Sequence, residues 1–436
     1  METQETVLER WHSSLAVKMI ILALLGLLLL IPLQMVKKVI KERAVFAEQA
    51  KDEIAASWAA AQIITGPVLN VPRTKVIAGD GRYATTTLHI LPDELKASAT
   101  MNPEIRYRGI YESVVYDSDI ELSGRFTLDG VGSFDGYTYD WSKAYISLGV
   151  SDNKGLKGDI LINIDGKSCK AEPGPGQQDV FKNGISFPYD LSGKNTDEFS
   201  GDFKIIFGLK GSESLFFSPA GKTTRVNIIS SWASPSFRGV FLPEERNIGP
   251  EGFTADWTVT HLNRSFPQAW TGKGYSPEDE SFGVNLMMEV DHYKRAERSA
   301  KYGLLFILIT FFVLIIIEVR SSERIHIFYY VLVAFALILF FSLLSALSEH
   351  VGFNPAYLIA SVATIGLLTA FFRSLINKNW VIIVISGLLS TLYLFIFILL
   401  ALKDYAYLAG NIGLFVLLAA LMMVSSKYRI FSNRTI

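Results

Sequence analysis

The stretch Gly303–Val319 reads GLLFILITFFVLIIIEV, seventeen residues with one formal charge, Glu318, next to its end. At 1.5 Å of rise per residue such a helix covers about 25 Å, close to the roughly 30 Å of a bilayer's hydrocarbon core, so the reading that fits is a membrane span. Four segments of the same character follow it, Ile327–Leu347, Ala356–Phe372, Trp380–Leu402 and Tyr405–Val424, and one more, Met19–Val36, stands near the N-terminus. Charge follows the same division: Lys301–Ile436 holds 13 charged residues in 136 positions, against 70 in the first 300. The apolar excess is therefore segregated in spans instead of being spread through one large soluble core.

Met19–Val36 follows Arg10 and Lys18, as the apolar part of a signal peptide would. It is long for that role and runs into Pro32, Gln34, Lys37 and Lys38 with no small-residue cleavage pattern, so it reads as an uncleaved anchor. Lysine and arginine in the short connections set its direction. With a cytoplasmic N-terminus, the inner connections and tail carry Arg320, Arg324, Arg373, Lys378, Lys427, Arg429 and Arg434, while the outer ones, Ser348–Pro355 and Lys403–Asp404, carry Lys403 alone. The middle of the chain then lies in the periplasm. Lys37, Lys38, Lys41, Arg43, Lys294, Arg295, Arg298 and Lys301 run against this direction, but long translocated domains cross with little regard to charge, and the short connections decide.

The expected domains are thus 1–36, a cytoplasmic N-terminus and anchor; 37–300, a periplasmic region large enough to bury its own core; and 301–436, a five-span bundle with a short tail. The periplasmic region opens on an alanine-rich, charged stretch, Lys38–Ile64, closed by Gly66 and Pro67, which predicts a stalk helix continuing from the anchor; Asp291–Tyr302 predicts a second helix leading into Gly303. Between them the apolar period changes to two, as in Ile160, Ile162 and Ile164, in Phe203, Ile205, Phe207 and Leu209, and in Phe282, Val284 and Leu286. Turn pairs such as Asp80-Gly81, Asp129-Gly130, Asp152-Asn153 and Asp165-Gly166 punctuate it. Alternation broken by turns predicts antiparallel strands with one buried face, hence a β-rich, sandwich-like domain. The fold class expected is a membrane protein of mixed α and β structure.

Few motifs point to chemistry. Gly221-Lys222-Thr223 lacks the earlier glycine of a phosphate loop, Phe216 standing in its place, and it reads as a turn between strands. Ser151-Asp152-Asn153-Lys154 overlaps two hydrolase signatures in one hairpin, where those enzymes keep them apart. His12, His89, His261, His292, His326 and His350 show no ligand spacing, and Cys169 is the single cysteine, so neither a conventional metal site nor a disulfide framework is expected, and no cofactor. The balance of 41 basic against 42 acidic residues gives no ground for a nucleic-acid partner. Asp117, Asp119 and Glu121 would share one strand face, as a solvated face does as readily as a cleft. Two clusters remain. Ser348-Glu349-His350, with Asn354 four residues on, gathers an acid, an imidazole and an amide at one membrane depth, either a solvated helix end or part of an ion or proton path. Trp232, Pro235 and Phe237, leading to Phe241-Leu242-Pro243, form an aromatic, proline-rich segment too irregular for a strand, either a core plug or a recognition surface.

Several of these segments together resemble the CreD inner-membrane proteins, the colicin-tolerance (Cet) family: Gly66-Pro67 with Val71-Pro72, Gly109-Ile110-Tyr111 with Ser118-Asp119, Trp232 with Pro235-Ser236-Phe237 and Phe241-Leu242-Pro243, Arg298 with Lys301-Tyr302, and Leu347-Ser348-Glu349-His350 with Gly352-Phe353. The resemblance runs from the anchor to the last span. It implies a Gram-negative inner-membrane protein with an anchor, a periplasmic domain and a helical bundle, associated with envelope integrity, colicin tolerance and envelope or β-lactam stress; it carries no catalytic residue. The expectation is a non-enzymatic envelope protein whose partners are the lipid bilayer and an unidentified envelope protein or ligand, touched through the periplasmic domain. The competing expectation is a transporter-like or signal-transmitting bundle using Glu349 and His350.

Overall fold

A computed structural model describes residues 15–76, 83–128, 137–193, 199–288, 292–321, 324–376, 378–402 and 406–427. Arg10, His12, Asp80-Gly81, Asp129-Gly130, Lys403-Asp404, Arg429 and Arg434, all used above, lie outside them. The chain folds as two compact units, one from Met1–Ala47 and Val290–Ile436, the other from Glu48–Glu289.

The first unit is helical. Its elements are α1 (Leu15–Leu28), α2 (Leu30–Trp58, whose far end enters the second unit), α3 (His292–Lys301), α4 (Gly303–Ser321), α5 (Ile327–Val351), α6 (Phe353–Leu375), α7 (Asn379–Ala401) and α8 (Ala406–Lys427). Among the described residues, five helices are long and apolar enough to cross a membrane: Val17–Trp58, His292–Ser321, Ile327–Val351, Phe353–Leu375 and Asn379–Ala401. These supply the N-terminal apolar helix and four apolar helices after the β-rich region; the further expected span, Tyr405–Val424, falls on α8, which is not one of the five. The interruption between α1 and α2 at Leu29 follows from Pro32, which has no N–H to give the carbonyl of Leu28 and whose ring crowds it. The ladder holds on either side, Leu29 N donating to Leu25 O at 2.9 Å and Leu33 N to Leu29 O at 3.3 Å.

The anchor packs antiparallel to α4. A Cβ placed on Gly303 would lie 2.7 Å from Leu33, one on Gly26 would lie 3.5 Å from Leu308, and Lys18 reaches Glu318 at 2.5 Å. As the anchor number falls from 33 to 18 its partner rises from 303 to 318, over about 22 Å of helix. Glycine at 303 is what lets Leu33 come so close, the usual device where helices associate without a hydrophobic driving force. The interior is aromatic: Tyr393 lies 4.8 Å from Phe306 and 4.5 Å from Phe340, ring centre to ring centre, and the Tyr357 hydroxyl donates to Tyr393 O at 2.8 Å.

The second unit is the β-rich domain. Its strands in chain order are β1 (Gln62–Val76), β2 (Tyr83–Ile90), β3 (Glu94–Arg108), β4 (Tyr111–Thr127), β5 (Thr138–Tyr139), β6 (Tyr145–Val150), β7 (Leu156–Ile164), β8 (Lys167–Lys170), β9 (Glu172–Pro173), β10 (Gly184–Pro188), β11 (Ser200–Ser212), β12 (Ser214–Phe217), β13 (Thr223–Ser230), β14 (Pro235–Gly239), β15 (Glu245–Gly249), β16 (Gly252–Thr260), β17 (Ala269–Thr271) and β18 (Phe282–Leu286). One sheet runs β15-β16-β13-β3-β4-β11-β7-β8; the other runs β14-β18-β12-β1-β6-β10-β9, with β2 and β5 also on β1 and β17 on β2. Alternate residues of β3 and β11 are buried and exposed, and the buried set, with Trp257, Phe126, Phe187 and Phe282, forms one core shared by the strands of both sheets. The expected sandwich-like layering is therefore present.

Two local expectations are corrected. The stalk helix ends at Trp58, not Ile64; Ile63 and Ile64, β-branched and adjacent, pair with Phe216 and Phe217 of β12 as the start of β1. The segment thought too irregular for a strand contains β14, in which Phe237 pairs with Val284. Pro235 is tolerated because β14 is the edge strand of its sheet.

Candidate functional site

The Glu349 cluster is built where α5 gives way to α6. Gly352, at φ +79°, turns the chain between them, and a Cβ there would approach His292 of α3. Glu349, with 9% of its side chain exposed, accepts a hydrogen bond from the Tyr293 hydroxyl at 3.1 Å and faces the Arg43 guanidinium of α2 at 4.0 Å. Asn354 Oδ1 accepts from Arg295 at 3.5 Å, and that guanidinium also lies over the Phe353 ring, 5.6 Å from its centre. Ser348 is buried and donates to Ser345 O at 2.8 Å. His350 is exposed and stands apart from the acid one residue before it. The structure thus brings Glu349 and Asn354 onto α2 and α3 and leaves His350 out, which is the behaviour of a polar joint between helices.

A second polar cluster sits at the other end of the anchor. Lys18 Nζ donates to both carboxylate oxygens of Glu318, at 2.5 and 2.6 Å, and to Ile325 O at 2.6 Å, so all three of its N–H groups are used. The Tyr330 hydroxyl donates to Glu318 at 3.1 Å, and the ammonium lies 5.2 Å from the Tyr330 ring centre. Sequence reasoning noted Lys18 and Glu318 separately. The available signal was that a lone acid at the end of one span and a lone lysine at the start of an antiparallel one fall at the same depth.

In the β-rich domain, Phe237 is spent on packing, edge-on to Phe253 at 5.6 Å and to Trp257 at 5.7 Å. Trp232 is partly buried, and its indole N–H donates to Met287 O at 3.0 Å; Pro235 stays half-buried at the sheet edge. Asp117 is ion-paired with Lys157, and Glu121 with Lys204 at 2.7 Å, so that acidic face is a cross-strand charge ladder. Beside it, on the polar face of the eight-stranded sheet, a depression of about 350 Å³ opens between Lys96, Ser98, Glu121, Arg225, Asn227 and Asp256. Arg225 stands directly opposite Lys96 in register, and neither side chain has a hydrogen-bond or ion-pair partner among the described residues. No group of three or more potential metal ligands occurs among the described residues.

The profile of the family described as inner membrane protein CreD matches residues 14–430 of this chain. The chain belongs to the CreD family. It is 29% identical over 412 residues to the inner membrane protein CreD of Escherichia coli K12, an alignment covering 92% of this chain and 90% of that one. Among solved structures, the M1 zinc metallopeptidase of Deinococcus radiodurans aligns with a TM-score of 0.21 at 10% identity, over 45% of this chain and 42% of that one, a likeness too low to carry any argument. This CreD-family protein is accordingly a multi-pass membrane protein in contact with lipid through its apolar helices, of which Leu24, Leu27 and Ile31 on the anchor and Leu358 and Val362 on α6 are exposed.

Proposed function

We propose that this CreD-family protein serves cell-envelope integrity without enzymatic turnover, its β-rich domain lying in the periplasm and touching another envelope component, a protein or a ligand. The observation that carries this reading is the depression around Lys96 and Arg225. Like charges directly opposite one another destabilise a sheet, so this pair, which makes no direct ion pair although Glu121 and Asp256 also line the depression, fits a surface kept for an anionic group of a partner. Trp232 and Pro235 stay candidates for the margin of a contact, whereas Phe237 acts through the core. Association with colicin tolerance and envelope stress belongs to the same reading.

The test is photocrosslinking in cells from residues placed at Ser98 and Asn227, with complementation of a deletion strain scored as detergent and β-lactam sensitivity. Adducts that vanish in a Lys96→Glu/Arg225→Glu variant, together with lost complementation at normal abundance, support the reading. Full complementation by that variant sinks it. A second reading, a bundle that transmits a signal or passes a solute, rests on Glu349 facing Arg43 of the helix that continues to Trp58. A Glu349→Gln/His350→Ala variant that reaches the membrane but fails to complement would favour it.

A further inference from the structure

The connection between β9 and β10, residues 174–183, lies as a strap over one face of the ten-stranded sheet. Beneath it, Tyr145, Asn70, His89 and Trp270 stand in register on four neighbouring strands, β6, β1, β2 and β17. Directly opposed residues point to the same face, so these four side chains form one row, opposite to the face carrying Leu69, Ile90 and Ile146. The strap is held by packing at its ends: Gly176 lies against the Tyr145 ring, and Phe181 covers Gly149 so closely that a Cβ there would sit 2.8 Å from the ring. Between them Thr87 donates to Gln177 Oε1 at 2.7 Å, and Asp179 faces His89.

The hydrogen bonds around His89 fix its tautomer. Asn70 Nδ2 lies 3.0 Å from Val68 O and 2.7 Å from Ser147 Oγ, so it is the amide's donor end, and Asn70 Oδ1 must accept. That oxygen is 2.7 Å from His89 Nδ1, which therefore carries a proton. In the neutral ring Nε2 is then a bare acceptor, with only 1% of the side chain exposed, facing the Asp179 carboxylate at 3.7 Å with no hydrogen bond between them. Two acceptors confront each other under the strap. The alternative, a protonated Nε2, places an imidazolium out of water, ion-paired with Asp179 at 3.7 Å but too far for a hydrogen bond. Neither state makes a hydrogen bond at Nε2 in the closed geometry.

We propose that residues 174–183 form an acid-released strap whose hold on the sheet is set by His89. Burial holds the imidazole's pKa below its usual 6.5, an effect larger than the opposing pull of Asp179. Asp179 is the charged side chain acting on it; from β6 comes Tyr145, whose burial pushes its phenol up to about 12 so that it stays neutral, and from β17 comes Trp270, an indole that carries no charge. The sign follows from linkage. An open strap returns His89 to water and its ordinary pKa, so protons bind the open form more tightly, and acid shifts the balance toward opening as pH falls through 6.5 and below. Opening uncovers the part of the row that the strap touches, the Tyr145 ring and the His89 imidazole.

The test is hydrogen exchange of the full-length protein in detergent micelles, following peptides from 174–183 between pH 8 and 5 and correcting for the intrinsic rate. Protection of the strap is expected to fall progressively as pH drops from 8 to 5, while β3 and β4 stay constant. His89→Gln, neutral throughout, should flatten the profile. Asp179→Asn can offer an amide N–H to Nε2, so it should protect the strap more than wild type at neutral pH and move opening to lower pH. A strap whose protection is independent of pH, or rises in acid, overturns the proposal. So does an Asp179→Asn strap less protected than wild type at pH 8, a readout that stands even where His89→Gln fails to fold.

Discussion

Removing one member of the Lys18–Glu318 pair should be among the most damaging polar changes in the helical unit. The side chains are 15% and 16% exposed, and the ammonium has no unused donor. Lys18→Met leaves the Glu318 carboxylate with Tyr330 as its remaining partner, and stranding a buried charge costs about 3–5 kcal/mol, here toward the lower figure because water reaches a sixth of the group. Glu318→Gln keeps shape and an acceptor, so the ammonium retains that oxygen and Ile325 O, and the loss should be about 1–3 kcal/mol. With both replaced, no charge remains to be stranded, and the double variant should cost less than Lys18→Met alone. Charge exchange, Lys18→Glu with Glu318→Lys, should recover only part, since the carboxylate at 18 would then face Ile325 O, an acceptor. Equilibrium unfolding in mixed micelles of mild detergent and dodecyl sulfate gives the four free energies. A double variant whose cost equals the sum of the singles within about 0.5 kcal/mol would refute the coupling, and a Lys18→Met loss below about 1 kcal/mol would refute the burial argument.

Other outcomes follow from single contacts. Trp58→Ala should cost the β-rich unit about 2–4 kcal/mol, because the indole lies between the charges of Arg106 and Lys210, at 4.6 and 4.2 Å, and donates to Tyr116 O; thermal unfolding measures it. Gly149→Ala forces the Phe181 ring to move and should cost about 1–3 kcal/mol, with faster exchange in residues 180–184 as its local sign. Glu349→Gln keeps an acceptor for Tyr293 and loses only the attraction of a half-exposed Arg43, so its unfolding free energy should fall by no more than about 1 kcal/mol.

The architecture was legible because its two signals are long-range averages. Seventeen residues with one charge at Gly303–Val319 need no neighbour to be read, and the period-two runs of β11 and β18 state which face is buried. What escaped the sequence depends on pairing across hundreds of residues. Ile63 and Ile64 continue an alanine-rich helical pattern until β12 supplies a partner strand. Phe237 sits among prolines and serines, yet β18 recruits the segment as an edge and the ring goes into the core between Phe253 and Trp257. The row under the strap was invisible for the same reason: Asn70, His89, Tyr145 and Trp270 span two hundred positions and meet only through strand register. Of the candidate site, Glu349 and Asn354 were legible as polar residues at a span end, but their partners on α2 and α3 were not.

The cations that run against the loop-charge direction acquire a physical account from their contacts. Lys38 pairs with Glu42 at 3.8 Å and Lys301 with Glu297 at 3.6 Å, each one helical turn away, while Arg43 faces Glu349 and Arg295 holds Asn354. A positive charge paired within its own helix or committed to a joint adds little net charge to its side of the membrane, which lessens the conflict with the direction read from the short connections. The spacing of the two ionic joints supports the same view. From Lys18 to Arg43 is 25 residues, about 37 Å of helix, longer than the roughly 30 Å hydrocarbon core and close to the full thickness with headgroups. Glu318 and Glu349 thus stand near opposite ends of this stretch of anchor, each facing a cation that it carries. Such spacing is what a bundle fastened to its anchor at both ends would need.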